Sequence, residues 1–240
     1  MNLYILVEGE QTELQLYPQW LLHLIPELSR IDNFQGATEN SYFLISGFGI
    51  PSIYNHAVNA IKDVNLANNY DYLIIALDAE ELSPEERKNS LLDYIKKSNV
   101  TLNENCEIEV IIHNKCVETW FLGNRNVYKR NPQGAKFQKY SQYYNVEIND
   151  PELMGRFPDF KRTAHFHESY LREMLKEYNL RYRKSRPGDV VKEYYLKEII
   201  KRTEDLPEHL KCFSSGIEIF NKIKLKNEDT KSVTNKKYKI

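Results

Sequence analysis

Two stretches constrain this chain most: Asn2–Val7 (NLYILV) and 72–77 (YLIIAL) are almost wholly apolar, six residues long, and each stops at an acid, Glu8 or Asp78. Apolar runs of that length, rich in β-branched and aromatic residues, read as strands buried on both faces. Such strands belong to parallel sheets, whose faces are covered by crossover helices. Ser41–Ser46 (SYFLIS) and Glu107–His113 (EIEVIIH) supply two more. Helical patterns alternate with them. Residues 11–25 carry a stripe of Leu14, Leu16, Tyr17, Leu21, Leu22 and Ile25, with Thr12 as cap. Residues 51–66 start at Pro51, and 83–97 start with Ser83 as cap, Pro84 in the first turn, then Glu85 and Glu86. A short helix fits 116–122. The alternation predicts an α/β fold with a mainly parallel sheet flanked by helices.

In such sheets the working groups gather at the carboxyl ends of the strands. Carboxylates collect there: Glu8, Glu10 and Glu13 after the first strand, Asp78, Glu80 and Glu81 after YLIIAL, and Glu118 after the EIEVIIH strand. Like charges held together repel and raise one another's pKa values, a cost that a divalent cation removes. Some of these acids also suit plainer roles. Glu10 and Glu13 fit a helix first turn, and Glu85 and Glu86 a solvated face.

Net charge over 240 residues is −1, but residues 1–125 hold 8 Lys+Arg against 18 Asp+Glu, or −10, and the remainder carries +9. A basic half suits a phosphate-rich partner, because Lys and Arg gain affinity by releasing condensed counterions. The loop Arg181-Tyr-Arg-Lys-Ser-Arg-Pro-Gly188 concentrates that charge. Arg181, Arg183, Lys184 and Arg186 are the candidate phosphate contacts. Amphipathic patterns predict helices over 168–179 and 190–203, and a last segment over 214–223. From residue 223 a Lys-rich flexible tail is expected. No leader pattern opens the chain, and no run reaches the roughly 18 apolar residues of a membrane span, so a cytoplasmic chain is expected. Cys106, Cys116 and Cys212 form no CxxC and read as reduced thiols.

Weaker motifs remain. Gly47-Phe48-Gly49 before a helix suits turn chemistry or a loop on the substrate side. His165 and His167 form an HxH too sparse to identify a metal site.

Glu8-Gly9-Glu10-Gln11-Thr12-Glu13 after a strand, and Leu77-Asp78-Ala79-Glu80-Glu81 after another, resemble the Toprim family of topoisomerase–primase domains, ribonuclease M5 and overcoming-lysogenization-defect nucleases. Asn114-Lys115-Cys116-Val117-Glu118-Thr119-Trp120 is similar to an Asn-x-Cys-x-Glu-x-Trp segment of small RloB-type Toprim proteins in phage-defence loci. The resemblance covers about residues 2–122 and implies a Toprim-like catalytic core over 1–125, a helical basic extension over 126–222 packed on it, and the tail over 223–240. It implies a Mg2+- or Mn2+-dependent nuclease cutting DNA or RNA, tRNA included. Glu8, Asp78, Glu80 and Glu118 would be catalytic, and Glu8, Glu13, Asp78 and Glu80 would bind metal. Glu80 stands where the family has a second aspartate, so Glu81 is an alternative ligand. A lysine near the metals, as in some of these nucleases, would be Lys184 or Lys192. The chain has no P-loop, so an antiviral role would call for a partner ATPase. A non-catalytic subunit binding nucleic acid or ATPase, and a nucleotidyl- or phosphoryl-transfer enzyme, are the rival readings. The oligomeric state is open, a dimer among the options.

Overall fold

The computed structural model describes the backbone of residues 1–237 and the side chains of residues 1–228. Five strands form one parallel sheet: β1 (Asn2–Val7), β2 (Ser29–Ile31), β3 (Ser41–Ser46), β4 (Tyr72–Asp78) and β5 (Glu107–His113), in the order β2-β3-β1-β4-β5. The expected α/β class is what the chain adopts. Strand β2 is absent from the sequence reading, because three residues, two of them exposed, carry no apolar signal.

Helix α1 (Glu13–Leu24) follows β1, α2 (Ser52–Ala67) follows β3, and α3 (Pro84–Lys97) follows β4. α3 starts as its sequence requires. The Ser83 side chain accepts from the Glu86 amide while Glu86 accepts from the Ser83 amide. Thr12 does not cap α1. Its hydroxyl lies 3.1 Å from the Tyr182 hydroxyl and 3.3 Å from the Lys184 carbonyl, which it meets as a donor. A tertiary contact has replaced the local one.

The period of two along each strand sorts the core. Leu3, Ile5 and Val7 of β1 and Tyr72, Ile74 and Ala76 of β4 face α1. Tyr4 and Leu6, with Leu73, Ile75 and Leu77, face α2 and α3. The first face is completed by the C-terminal half: α4 (Val117–Phe121), α5 (Ala135–Tyr143), α6 (Thr163–Lys176), α7 (Glu193–Asp205) and α8 (Lys211–Lys237). One apolar cluster therefore runs from Leu3 to Ile223. The basic extension forms the layer over this face of the sheet, in place of an appendage at its edge.

Helix α5 lies in a stretch whose polar texture predicts no element, and α6 starts five residues before the pattern suggests. The segment expected as a tail continues α8 as helix to Lys237. Residues 238–240 of that tail lie outside the described residues. Among the described residues no helix is long and apolar enough to cross a membrane.

Candidate functional site

Parallel strands that end in register deliver their last side chains to one edge. In the β4–β5 ladder Asp78 is opposite His113. Asp78 continues the face of Ile74 and Ala76, and His113 that of Ile111, so both point toward α1. Asp78 Oδ1 lies 2.8 Å from His113 Nδ1, and His113 Nε2 lies 3.1 Å from the Tyr17 hydroxyl. The imidazole is completely buried, with the Trp120 ring edge-on at 4.5 Å.

Glu13 opens α1 and reaches the same place. Its carboxylate lies against Gly9, where a Cβ would come within 2.3 Å of one oxygen and 2.6 Å of the other. Gly9 is thus required by close approach of a side chain, with no left-handed φ involved. One ligand atom from each of Glu13, Asp78 and His113 lies within 4.8 Å of the others. Glu8 is tied beside them, its Oε2 accepting from the Asp78 amide at 2.9 Å.

Glu118, on α4, is 1% exposed and accepts from the Tyr182 hydroxyl at 2.7 Å. Lys184 Nζ approaches it at 3.5 Å and Glu168 at 3.9 Å. Glu8, Gly9, Glu13, Asp78, Gly49 and Lys184 line an open cleft of about 240 Å3. The Gly47–Gly49 loop therefore borders the site, Gly49 donating its amide to the Glu8 carbonyl at 2.9 Å.

The electrostatics are those of a crowded acidic site. Burial, then the Asp78 charge, pushes Glu8 up to about 7, and the same two causes push Glu13 up to about 7. Burial, followed by Glu118, raises Asp78 well above the carboxylate range although Lys184 opposes. Burial lowers His113 against the pull of Glu13, Glu8 and Glu118, which favours the neutral ring. Burial opposes the Lys184 charge, but Glu118, Glu168 and Asp78 raise it above the lysine range.

The donor set fits a divalent cation. Glu13 is 6% exposed, and among the described residues neither a cationic side chain nor a donor from another residue meets its carboxylate. A buried carboxylate left so is costly, and coordination is one way to satisfy it. Neutral imidazole and carboxylates are the ligand types such a site needs.

The remaining candidates are dispersed. Glu80 does not join the cluster. At φ 52° its backbone has left the strand, and its carboxylate pairs with Arg87 at 3.5 Å and Arg162 at 3.8 Å. Glu81 accepts from the Thr163 amide at 2.7 Å and hydroxyl at 2.8 Å, holding the start of α6. Glu10 borders the cleft. Lys192 pairs with Asp189 at 2.6 Å. His167 is buried between the Thr119 hydroxyl, 2.8 Å, and the Met154 carbonyl, 2.9 Å, while His165 is exposed, so the HxH is no shared site. Cys116 is buried beside Thr119 and serves packing.

The basic loop divides in two. Tyr182 and Lys184 turn into the acidic site, whereas Arg181, Arg183 and Arg186 line a neighbouring cleft of about 460 Å3 with Ser185 and Gly188. Among the described residues no carboxylate lies within ion-pair distance of those three arginines.

Sequence reasoning missed His113 and Tyr17 as members of the site. A signal for His113 existed: β4 and β5 are both seven residues long, and each ends on a polar side chain. Tyr17 carried none, since it reads as one more apolar position of α1. Comparison of the chain with family models, with curated proteins and with solved structures finds no match in any of the three.

Proposed function

We propose that this chain is a metal-dependent phosphodiesterase acting on nucleic acid, the reading its resemblance to Toprim nucleases also implies. The observation that carries it is the juxtaposition of the Glu13, Asp78 and His113 ligand atoms, within 4.8 Å of one another, with a cleft bounded by Lys184. A bound divalent cation supplies Lewis acidity toward water and phosphate oxygens. Glu13, Asp78 and His113 would hold it, and Glu118 would orient Lys184 toward the phosphate. Glu8, raised to about 7, would take a proton from water, since a base works best near the operating pH. Arg181, Arg183 and Arg186 would grip the flanking backbone. By the same resemblance the setting is cytoplasmic antiviral defence, with a partner ATPase as switch.

One observation favours a second reading. Glu80, where the family has an aspartate, is engaged by Arg87 and Arg162, which suits a subunit that binds nucleic acid or an ATPase without cutting. Incubating the full chain with plasmid, single-stranded DNA and total tRNA, in Mg2+, Mn2+ or EDTA, separates the two. Metal-dependent cleavage lost in Asp78→Asn and Glu13→Gln is the expected result. Binding with no cleavage by any of the three proteins would overturn the enzyme reading in favour of the subunit.

A further inference from the structure

The ring at the end of β5 bears on which cation the site takes. A histidine against an aspartate can be a plain hydrogen-bonded pair. Two features argue for more. Glu13 lies beside the pair, 6% exposed, with no donor from another residue among the described residues, so the pair does not satisfy the group. The far side of the ring is also prepared. Tyr17, on α1, holds His113 Nε2 at 3.1 Å, and Trp120 packs edge-on against the ring at 4.5 Å. A ligating histidine is held in this way, its second nitrogen against a fixed partner, and an ion shared with Asp78 would take the place of the present Nδ1–Oδ1 contact.

We propose that Glu13, Asp78 and His113 form a mixed nitrogen–oxygen site that selects a first-row transition-metal dication over Mg2+. His113 Nδ1 is a direct ligand, and the Tyr17 hydroxyl accepts from Nε2–H. This rests on the metal-dependent reading above. The selectivity follows from ligand chemistry. Mg2+ is a hard ion that takes oxygen ligands and holds its waters, whereas an imidazole ligand suits the first-row transition dications, with Mn2+ at the weak end of that series. The geometry allows it. Two ligands bound to one ion at about 2.0–2.2 Å lie at most about 4.4 Å apart. That maximum holds for ligands on opposite sides of the ion, so Glu13 must draw in from the present spread to close the site. The cation enters from the open cleft that Glu13 and Asp78 line, while His113 lies behind them, fully buried. Tyr17 is a positioning residue, since it touches the ion only through the ring.

The test uses the full chain, stripped with EDTA and titrated calorimetrically with MnCl2 and, separately, MgCl2. The Mn2+ form is then examined by electron spin echo envelope modulation for coupling to a coordinated imidazole nitrogen. Mn2+ binding at least about tenfold tighter than Mg2+, with a 14N coupling, is expected. His113→Gln should abolish the coupling and bring the two affinities together. Tyr17→Phe should keep the coupling and weaken Mn2+ binding by about 10- to 100-fold. Should His113→Gln fail to fold, the wild-type spectrum alone decides. Tight Mn2+ binding without nitrogen coupling, or equal affinity for the two ions, overturns the selectivity while leaving a metal site standing. Binding of neither ion overturns the metal-dependent reading as well.

Discussion

At the scale of single residues, Gly9 and Glu13 explain each other. The glycine keeps clear the space that the Glu13 carboxylate fills, and a methyl group there would meet both oxygens. Those oxygens are the end of a flexible side chain, so Gly9→Ala can be accommodated by turning Glu13 away. The expected outcome is a melting temperature within a few degrees of wild type and Mn2+ affinity reduced about tenfold or more, read by calorimetry. Glu13 also sets a pH dependence. Its folded value of about 7 lies above the ordinary 4.5, so the folded state binds the extra proton. That contribution is fully present below about pH 4.5 and is lost as pH rises through about 7. The gap corresponds to about 3 kcal/mol for Glu13 alone. In EDTA, Glu13→Gln should therefore match wild type near pH 5 and exceed it by roughly 2–3 kcal/mol at pH 8, by urea unfolding. Saturating Mn2+ should reverse that order, because only the wild type keeps the proposed ligand.

At the scale of elements, two acids fix where C-terminal helices start, Glu81 from the surface and Glu152 from the interior. Glu81 meets α6 at Thr163, and Glu152 accepts from the amides of Cys212 at 3.0 Å and Phe213 at 3.1 Å, the first turn of α8. Unpaired amides at a helix start require such acceptors. Burial nonetheless raises Glu152 to about 7, with the two amides opposing. Glu152→Ala should cost about 2–4 kcal/mol, since two buried donors lose their partner. Chemical denaturation checks this, and Glu152→Gln, which keeps an acceptor oxygen, should recover much of the loss. α8 packs against α1 and β5 in the same cluster as Tyr17, so Glu152 also supports the site from a distance.

At the scale of the molecule, folding brings together the two halves of opposite charge. Tyr182 and Lys184 reach Thr12 and Glu118 across the chain, which leaves Arg181, Arg183 and Arg186 as a positive rim beside an acidic centre. Such a rim attracts a polyanion that the carboxylates alone would repel. Replacing all three arginines by alanine should lower the slope of log K against log salt by about 2–3, at about 0.9 per phosphate contact. Fluorescence anisotropy with a labelled oligonucleotide measures it. A slope that does not change would remove the loop from the proposed nucleic-acid interface.

Four of the five strands, the first three helices and most acids at the sheet edge were legible in the sequence because their signals are local. Apolar runs, capping residues and the Glu-Gly step act within a few positions. β2 and α5 were not, since an exposed three-residue strand and a polar helix gain their order from neighbours. Tertiary structure alone decided the membership of the site. Glu80 and Glu81 follow Asp78 within three positions yet are claimed by Arg87, Arg162 and Thr163, all supplied by packing. His113 and Tyr17, 96 residues apart, enter through strand register and the face that α1 buries. Charge and burial act through space, and only the folded chain decides which carboxylate meets an arginine and which is buried beside a histidine.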